Sequence, residues 1–305
     1  MTSGTSTTEP APRSCLVVPA TDERKMAKAL SSIADEVVLD LEDSVEPDSK
    51  ARARERAAEV IARNGPRRGL PRLAVRVNQV GTAWCHLDLL AAVGAARGPL
   101  TVVVPKVESA SHLGFVSHLV SGALAAEDTS PRPDIRLDAL VESAAGLRNL
   151  DEVLALGDPL RAVVIGYADL GADLGCDLGT TSAGAEAVRA AVRSRVLTAA
   201  RAAGRLLLDG PWLSVTADDD FVTNRRQARE QGFDGSWAIH PAQLQVINDL
   251  FTPSTDELLW ARRVLDSLAA AASSGAGAVA LDGQMLDEAI AVRARRVLAL
   301  AEARR

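Results

Sequence analysis

The first sign of chemistry in this chain is a set of closely spaced carboxylates at the end of an apolar run. Val37, Val38 and Leu39 lead into Asp40, Glu42 and Asp43, and Pro47 and Asp48 then open a basic segment. Short unbroken runs of Val and Leu suit strands covered on both faces, whereas Pro and Asp suit the first turn of a helix. A buried strand has no structural use for three ionised groups at its exit, because each must be solvated, paired or bound to a cation. The pattern recurs. Arg76 and Asn78 lie at the end of residues 73–77, Lys106 follows 100–104, Glu142 follows 135–141, Asp169 follows 161–165, and His240 follows 235–239.

If these ends meet at one rim, both signs of charge converge there, which suits a metal-bound anionic substrate. Glu142 and Asp169 end adjacent strands, and two carboxylates that leave positions open to water and substrate suit Mg²⁺. Each acid taken alone fits equally well as the cap of the helix after its strand. Arg76 offers fixed donors to a carboxylate or a developing oxyanion, and could instead pair with Asp43 or Glu42. His240, beside Pro241, reads as a structural histidine, with no second histidine at metal-ligand spacing. Gly166, Gly171 and Gly175 mimic a dinucleotide loop, but a true fingerprint follows the first strand and opens its helix directly. They read instead as a loop that gives substrate access to backbone near Asp169.

The elements that must position these groups alternate without reversal. Strands at 15–19, 37–39, 73–77, 100–104, 135–141, 161–165, 205–208 and 235–239 alternate with helices at 22–33, 48–63, 84–96, up to 126, 146–156, 183–203 and 218–231. Eight such units predict a TIM (β/α)8 barrel, whose catalytic groups sit at the C-terminal ends of its strands. Helices at 255–272 and 284–304, separated by SSGAGAVALDG, form a C-terminal helical extension that suits a lid or an oligomer contact. The expected domains are a disordered tail over 1–12, a catalytic barrel over 13–252 and the extension over 253–305.

Composition narrows the class. A chain of 305 residues accommodates one barrel, and 47% apolar with only 3% aromatic residues demands an aliphatic core. A net charge of -6 argues against nucleic acid as partner. Cys15, Cys85 and Cys176 fit neither a disulfide framework nor a zinc motif and are expected as buried thiols. The opening residues lack the features of a signal peptide, and no segment is apolar enough to span a bilayer, so a cytoplasmic enzyme is expected.

Several ordered blocks carry a resemblance. RSCLVVPA with KMAKAL, VVLDLEDSVEPDSKARAR, VRVN, VPKVESA, VESAAGLRNL, IGYADLGADLG, WAIHPAQLQVINDLFTPS and LDGQMLD resemble, in that order, the HpcH/HpaI aldolase and citrate lyase family. The branch they are most similar to is that of citrate lyase beta-subunit-like and malyl-CoA lyase-like proteins. The resemblance implies a TIM barrel that uses Mg²⁺ to make or break a carbon–carbon bond beside a coenzyme A thioester. It implies Glu142 and Asp169 as metal ligands, Arg76 as the group that steadies an enolate or carboxylate, and Asp43 as a further member of the mouth. Asp287 of GQMLD would be the acid-base carboxylate, delivered from a neighbouring subunit's lid in a homo-oligomer, a homotrimer or hexamer. Arg13, Lys50 and Pro253 would contact the coenzyme A thioester. Lys106 is not marked as imine-forming.

The implied reaction cleaves or forms a β-hydroxyacyl-CoA such as malyl-CoA or citramalyl-CoA, with acetyl-CoA and a 2-oxo acid as partners. A thioesterase acting on the same esters, or a non-catalytic binding subunit, are the alternatives. Two positions depart from the pattern. Ser236 stands where many relatives carry Lys, which would alter a phosphate or coenzyme A contact, and Tyr167 stands where a small residue is expected, which would narrow the pocket beside Asp169.

Overall fold

The computed structural model describes residues 11–64, 70–126, 130–274 and 279–302. Most of the expected tail, the centre of NGPRRGLPR, the start of EDTSPRPD and part of SSGAGAVALDG lie outside the described residues. The chain divides into two compact units, one spanning Pro12–Asn248 and another that includes the residues from Asp249 onward.

In the first unit the elements alternate as expected: β1 (Ser14–Pro19), α1 (Glu23–Leu30), β2 (Glu36–Asp40), α2 (Lys50–Arg63), β3 (Arg72–Arg76), α3 (Cys85–Ala95), β4 (Leu100–Val104) and α4 (Ala110–Ala126). There follow β5 (Ile135–Val141), α5 (Ala144–Arg148), α6 (Leu150–Leu154), β6 (Leu160–Ile165), α7 (Tyr167–Leu174), α8 (Ala183–Ala202), β7 (Leu206–Asp209), α9 (Asp219–Glu230), β8 (Gly235–Ala238) and α10 (Leu244–Leu250). The eight strands pair in parallel, in sequence order, and β8 closes on β1 through Ser14–Ser236 and Cys15–Trp237. The TIM barrel expected from the sequence is the fold observed. Its interior holds Cys15, Val38, Ala74, Val103, Leu140, Ala162, Val164, Leu208 and Trp237, the aliphatic filling that a chain poor in aromatics must use. Toward the amino-terminal rim the buried Arg161 pairs with Glu36 at 2.7 Å and with Asp138 at 2.5 Å. Partnered in this way, charge can be carried inside the barrel.

Three expectations are corrected. The helix expected over 146–156 is two short pieces that meet at Asn149, whose side chain leaves the helical pattern to donate to Glu108 O at 2.9 Å. The glycine-rich loop is instead helix α7, closed at Gly175 in the left-handed conformation (φ 72°). Within it a Cβ on Gly171 would stand 2.6 Å from Cys176 O, so this glycine serves close packing. Cys176 is half-exposed, while Cys15 and Cys85 are buried free thiols.

The second unit packs α11 (Thr255–Ser274) against α12 (Glu288–Glu302) through Ala261, Val264, Leu286, Ala294 and Val297. The helix expected from 284 begins instead with a strand. β9 (Val279–Leu281) and β10 (Gln284–Leu286) form an antiparallel hairpin, turned by Asp282 and Gly283 at φ 51° and 80°, the Asp-Gly chemistry of a tight two-residue turn. Among the described residues, no helix is long and apolar enough to cross a membrane.

Candidate active site

The mouth of the barrel begins where β2 ends. Asp40 is fully buried, and its two oxygens accept from Arg76 Nε at 2.7 Å and Arg76 Nη2 at 2.8 Å. The same carboxylate accepts from Glu42 N at 3.0 Å and from Ser44 Oγ at 2.5 Å, so it shapes the loop that follows. Burial alone would push its pKa up, but the Arg76 guanidinium holds it below the usual range. Arg76 at the end of β3 is thereby fixed in a bidentate grip. Its remaining Nη1 lies 2.9 Å from Glu42 and 3.5 Å from Asp43. Pairing with those two acids, left open on sequence grounds, is present, but Asp40 is the principal partner.

Lys106, just past β4, adopts φ 50°, a left-handed conformation uncommon for a residue with a side chain. Its amide donates to Glu142 Oε1 at 2.8 Å. Its ammonium reaches Glu42 at 2.5 Å, Asp169 at 3.2 Å and Asp43 at 3.3 Å. Glu142, past β5, is buried. Burial first, and then the Glu42 charge, push its pKa up to about 8, against the opposing pull of Lys106 and Arg76. A Cβ at Gly166 would lie 2.4 Å from Glu142 Oε2, so only glycine leaves that carboxylate its place. Gly166 also opens α7, which carries Asp169 in its first turn.

Glu142 and Asp169 line one cavity of about 90 Å³, walled by Asp43, Arg76, Leu140, Tyr167, Pro211 and Trp237. A groove of about 680 Å³ shares Asp43 and Arg76 with it and extends past Pro19, Lys25, Lys28 and His240. Tyr167 lines the cavity beside Asp169. Its ring forms wall, and its hydroxyl donates to Asp209 at 2.6 Å and accepts from Arg193 at 2.9 Å.

This donor set fits an oxygen-seeking dication. Two carboxylates share a cavity wall, and one of them is a buried acid whose ionised form lacks sufficient positive charge nearby, which is the deficit a cation would make good. Among the described residues no group of three or more His, Cys, Asp and Glu stands ready to enclose a metal. Two carboxylates on one cavity wall, with room beside them for water or substrate, suit the habit of Mg²⁺ rather than Zn²⁺.

Not every expected residue joins this mouth. Arg13 precedes β1, at the opposite rim, and holds Asp35 through its backbone amide at 2.7 Å and its guanidinium at 2.9 and 2.7 Å. It is therefore not placed to touch a thioester at the strand exits. Lys50 is buried, with its ammonium on Leu41 O at 2.8 Å and Glu42 O at 2.6 Å and over the Trp84 ring, so it braces the β2 exit loop. Ser236 is buried within β8, and its hydroxyl accepts from Arg225, so it meets no phosphate. Asn78 is buried against Asp88. His240 caps the turn that follows it, accepting from Ala242 N at 3.2 Å, as a structural histidine would. Pro253 and Asp287 belong to the second unit, where Asp287 is exposed and accepts from Ile290 N at 2.9 Å at the start of α12. Sequence reasoning passed over Lys25 and Lys28, which stand one turn apart on the helix after β1. Their spacing places both on one face, which was the signal available.

Comparison with known proteins agrees with this architecture. The profile of the HpcH/HpaI aldolase/citrate lyase family matches residues 13–241. A (3S)-malyl-CoA thioesterase of Cereibacter sphaeroides is 32% identical over 291 residues, covering 95% of each chain. An L-malyl-CoA/beta-methylmalyl-CoA lyase of the same species is 32% identical over 290 residues, covering 90% of each. The crystal structure of CitE from Mycobacterium tuberculosis in complex with magnesium, acetoacetate and coenzyme A is 35% identical, covers 96% of this chain and 98% of its own, and superposes with a TM-score of 0.71. A profile spanning most of the chain, with full-length relatives above 30% identity, places this enzyme in the HpcH/HpaI aldolase/citrate lyase family.

Proposed function

We propose that this chain is a Mg²⁺-dependent carbon–carbon lyase that cleaves or forms a β-hydroxyacyl-CoA of the malyl-CoA or citramalyl-CoA type, with acetyl-CoA and a 2-oxo acid as the other partners. The observation that carries the reading is the joining of two cavities through shared walls. A small acidic one bears Glu142 and Asp169, and a larger one bears Lys25 and Lys28. The larger groove has room for the body of a thioester whose anionic groups meet the lysines.

Glu142 and Asp169 would hold the ion, which when bound supplies a Lewis acid for the carboxylate and neighbouring oxygen of the 2-oxo acid. The chain's own residues do the rest. Arg76, fixed by Asp40 and lining both cavities, offers positive charge to the enolate oxygen that develops as the bond breaks. Leu140, Tyr167, Pro211 and Trp237 wall the reacting end and limit water there. Asp43, more than half exposed beside Arg76 and Lys106, balances the charge of the mouth. In cleavage the β-hydroxyl gives its proton to water as it becomes the carbonyl of the 2-oxo acid, and the acetyl carbon takes one up; condensation reverses both transfers, and we assign the transfer at carbon to Asp287 of a neighbouring copy in a homo-oligomer.

Purified protein with Mg²⁺ and a panel of β-hydroxyacyl-CoA esters tests the reading. Release of 2-oxo acid together with acetyl-CoA is the expected result. Free coenzyme A without oxo acid would establish the thioesterase instead, a reading favoured by the thioesterase relative that covers 95% of both chains. No turnover across the panel would sink both. The Asp287 assignment has its own test. Asp287→Ala and Arg76→Ala proteins, each inactive, should regain part of the parent activity when unfolded and refolded together, because some mouths in the mixed assembly pair an intact Arg76 with an intact Asp287. Absence of recovery in assemblies shown to be mixed counts against a shared site.

A further inference from the structure

Lys106 has no part in the reaction as drawn, yet its backbone and side chain are both committed to the metal pair's surroundings. Its amide holds Glu142 Oε1 at 2.8 Å, and its ammonium stands 3.2 Å from Asp169, 2.5 Å from Glu42 and 3.3 Å from Asp43. Where one residue does both, its backbone turns left-handed at φ 50°, a conformation that side chains adopt at a cost and that clusters at functional sites. A lysine needed only to neutralise Glu42 would require neither the reach to Asp169 nor that turn. Five carboxylates, Asp40, Glu42, Asp43, Glu142 and Asp169, are drawn toward Arg76 and Lys106. Arg76 is gripped by Asp40 and shares its remaining Nη1 between Glu42 and Asp43. The ammonium of Lys106 thus sets a positive charge 3.2 Å from Asp169, while its amide holds Glu142.

We propose that Lys106 is the built-in counter-ion of the metal site: it holds Asp169 and its acidic neighbours together while no metal is bound, and it weakens the hold on a divalent cation by setting a fixed positive charge beside it. The inference rests on Glu142 and Asp169 as the metal pair, and not on which thioester is the substrate. Its consequence is an exchangeable metal. A cation entering at Asp169 must take that carboxylate from an ammonium that stays tethered to Glu42 and Asp43, so loading opposes a charge that cannot leave.

Titration of the chelator-stripped, full-length protein with Mn²⁺, followed by the electron paramagnetic resonance of the free ion, reads this directly. Lys106→Met should bind Mn²⁺ about tenfold tighter than the parent or more, whereas Lys106→Arg, which keeps the charge, should stay within about threefold. Melting gives a second readout. Metal-free Lys106→Met should melt below the parent, and its rise in Tm on adding Mn²⁺ should exceed the parent's. Lys106→Gly removes the same charge and accepts the left-handed backbone without a Cβ, so it carries the test if the Met variant does not fold. A merely structural lysine predicts the opposite sign, since its loss would loosen the acids and weaken the metal. Equal or weaker Mn²⁺ binding by the folded charge-removing variant overturns the proposal while leaving the metal pair intact. A parent that binds no Mn²⁺ overturns both.

Discussion

Glu142→Gln should lower metal-dependent turnover by at least about 10³-fold while the metal-free barrel stays as stable as the parent or becomes more so. The two halves of that expectation have one cause. Glu142 is buried where its charge has too little compensation, and its pKa is pushed up to about 8 by burial and by Glu42. As a ligand it must be ionised, so an amide of the same shape removes the interaction that makes the site attractive to a cation. As a structural element it is more comfortable neutral, and the amide supplies that state permanently.

The sign with pH follows. A carboxyl that keeps its proton up to about 8 in the folded chain, but loses it near 4.3 when unfolded, makes the folded state bind the extra proton between those values. Its contribution to stability therefore falls as pH rises across that window. With a chelator present, the stability of Glu142→Gln relative to the parent should grow from about pH 5 to pH 8. Denaturant unfolding at several pH values checks this, and activity with saturating Mg²⁺ checks the rest. Turnover within tenfold of the parent would remove Glu142 from the metal, and a gap in stability that shrinks with rising pH would show that the acid is compensated by groups other than those described.

What the sequence discloses about this site differs from residue to residue. The barrel is legible because each strand is an apolar run with polar groups at one end, and strand ends in a parallel sheet share a rim. That logic brings Asp43, Arg76, Glu142 and Asp169 to one cavity. It does not tell which rim a charge beside a strand belongs to. Arg13 stands next to β1 in sequence but at its beginning, where Asp35 claims it, and Lys50 lies near the acidic loop only to bind its carbonyls. Pairing partners are invisible for a related reason. Asp40 and Arg76 are separated by 36 positions, and only the register of β2 on β3 makes them neighbours. The glycines after β6 misled because composition does not separate flexibility from close packing, and at Gly166 and Gly171 the second is at work. Lys25 and Lys28 had a readable spacing, but which face of α1 looks toward the mouth depends on how the helix docks.

The largest loss of stability is expected from Asp209→Ala, at the end of β7. This fully buried carboxylate faces two buried guanidinium groups, with Arg193 at 2.8 Å and Arg225 at 2.8 Å, and it accepts the Tyr167 hydroxyl at 2.6 Å. Burial opposes its ionisation, but Arg193 and Arg225 hold its pKa below the usual range. Removing it strands two positive charges away from water, and breaking a buried pair in this way costs about 3–5 kcal/mol, a fall in Tm of roughly 10 °C for a unit of this size. Because the folded pKa is the depressed one, this stabilisation is complete above the unfolded carboxyl's pKa and is lost as pH falls through the folded value. The stability difference between parent and Asp209→Ala should therefore be full near neutrality and narrow in acid, and a difference that stays constant into acid would show that Asp209 contributes by packing alone. The same substitution frees the ring that walls the cavity beside Asp169, since among the described residues the Tyr167 hydroxyl keeps only Arg193 as a polar partner. Whatever protein remains folded should bind the 2-oxo acid more weakly, with a KM at least about fivefold higher and a smaller change in kcat, as expected when ground-state positioning is lost and the reacting groups remain. An unchanged KM in the folded variant would mean that the ring is held by its apolar neighbours, and that the arginine network beneath it serves the barrel and not the substrate.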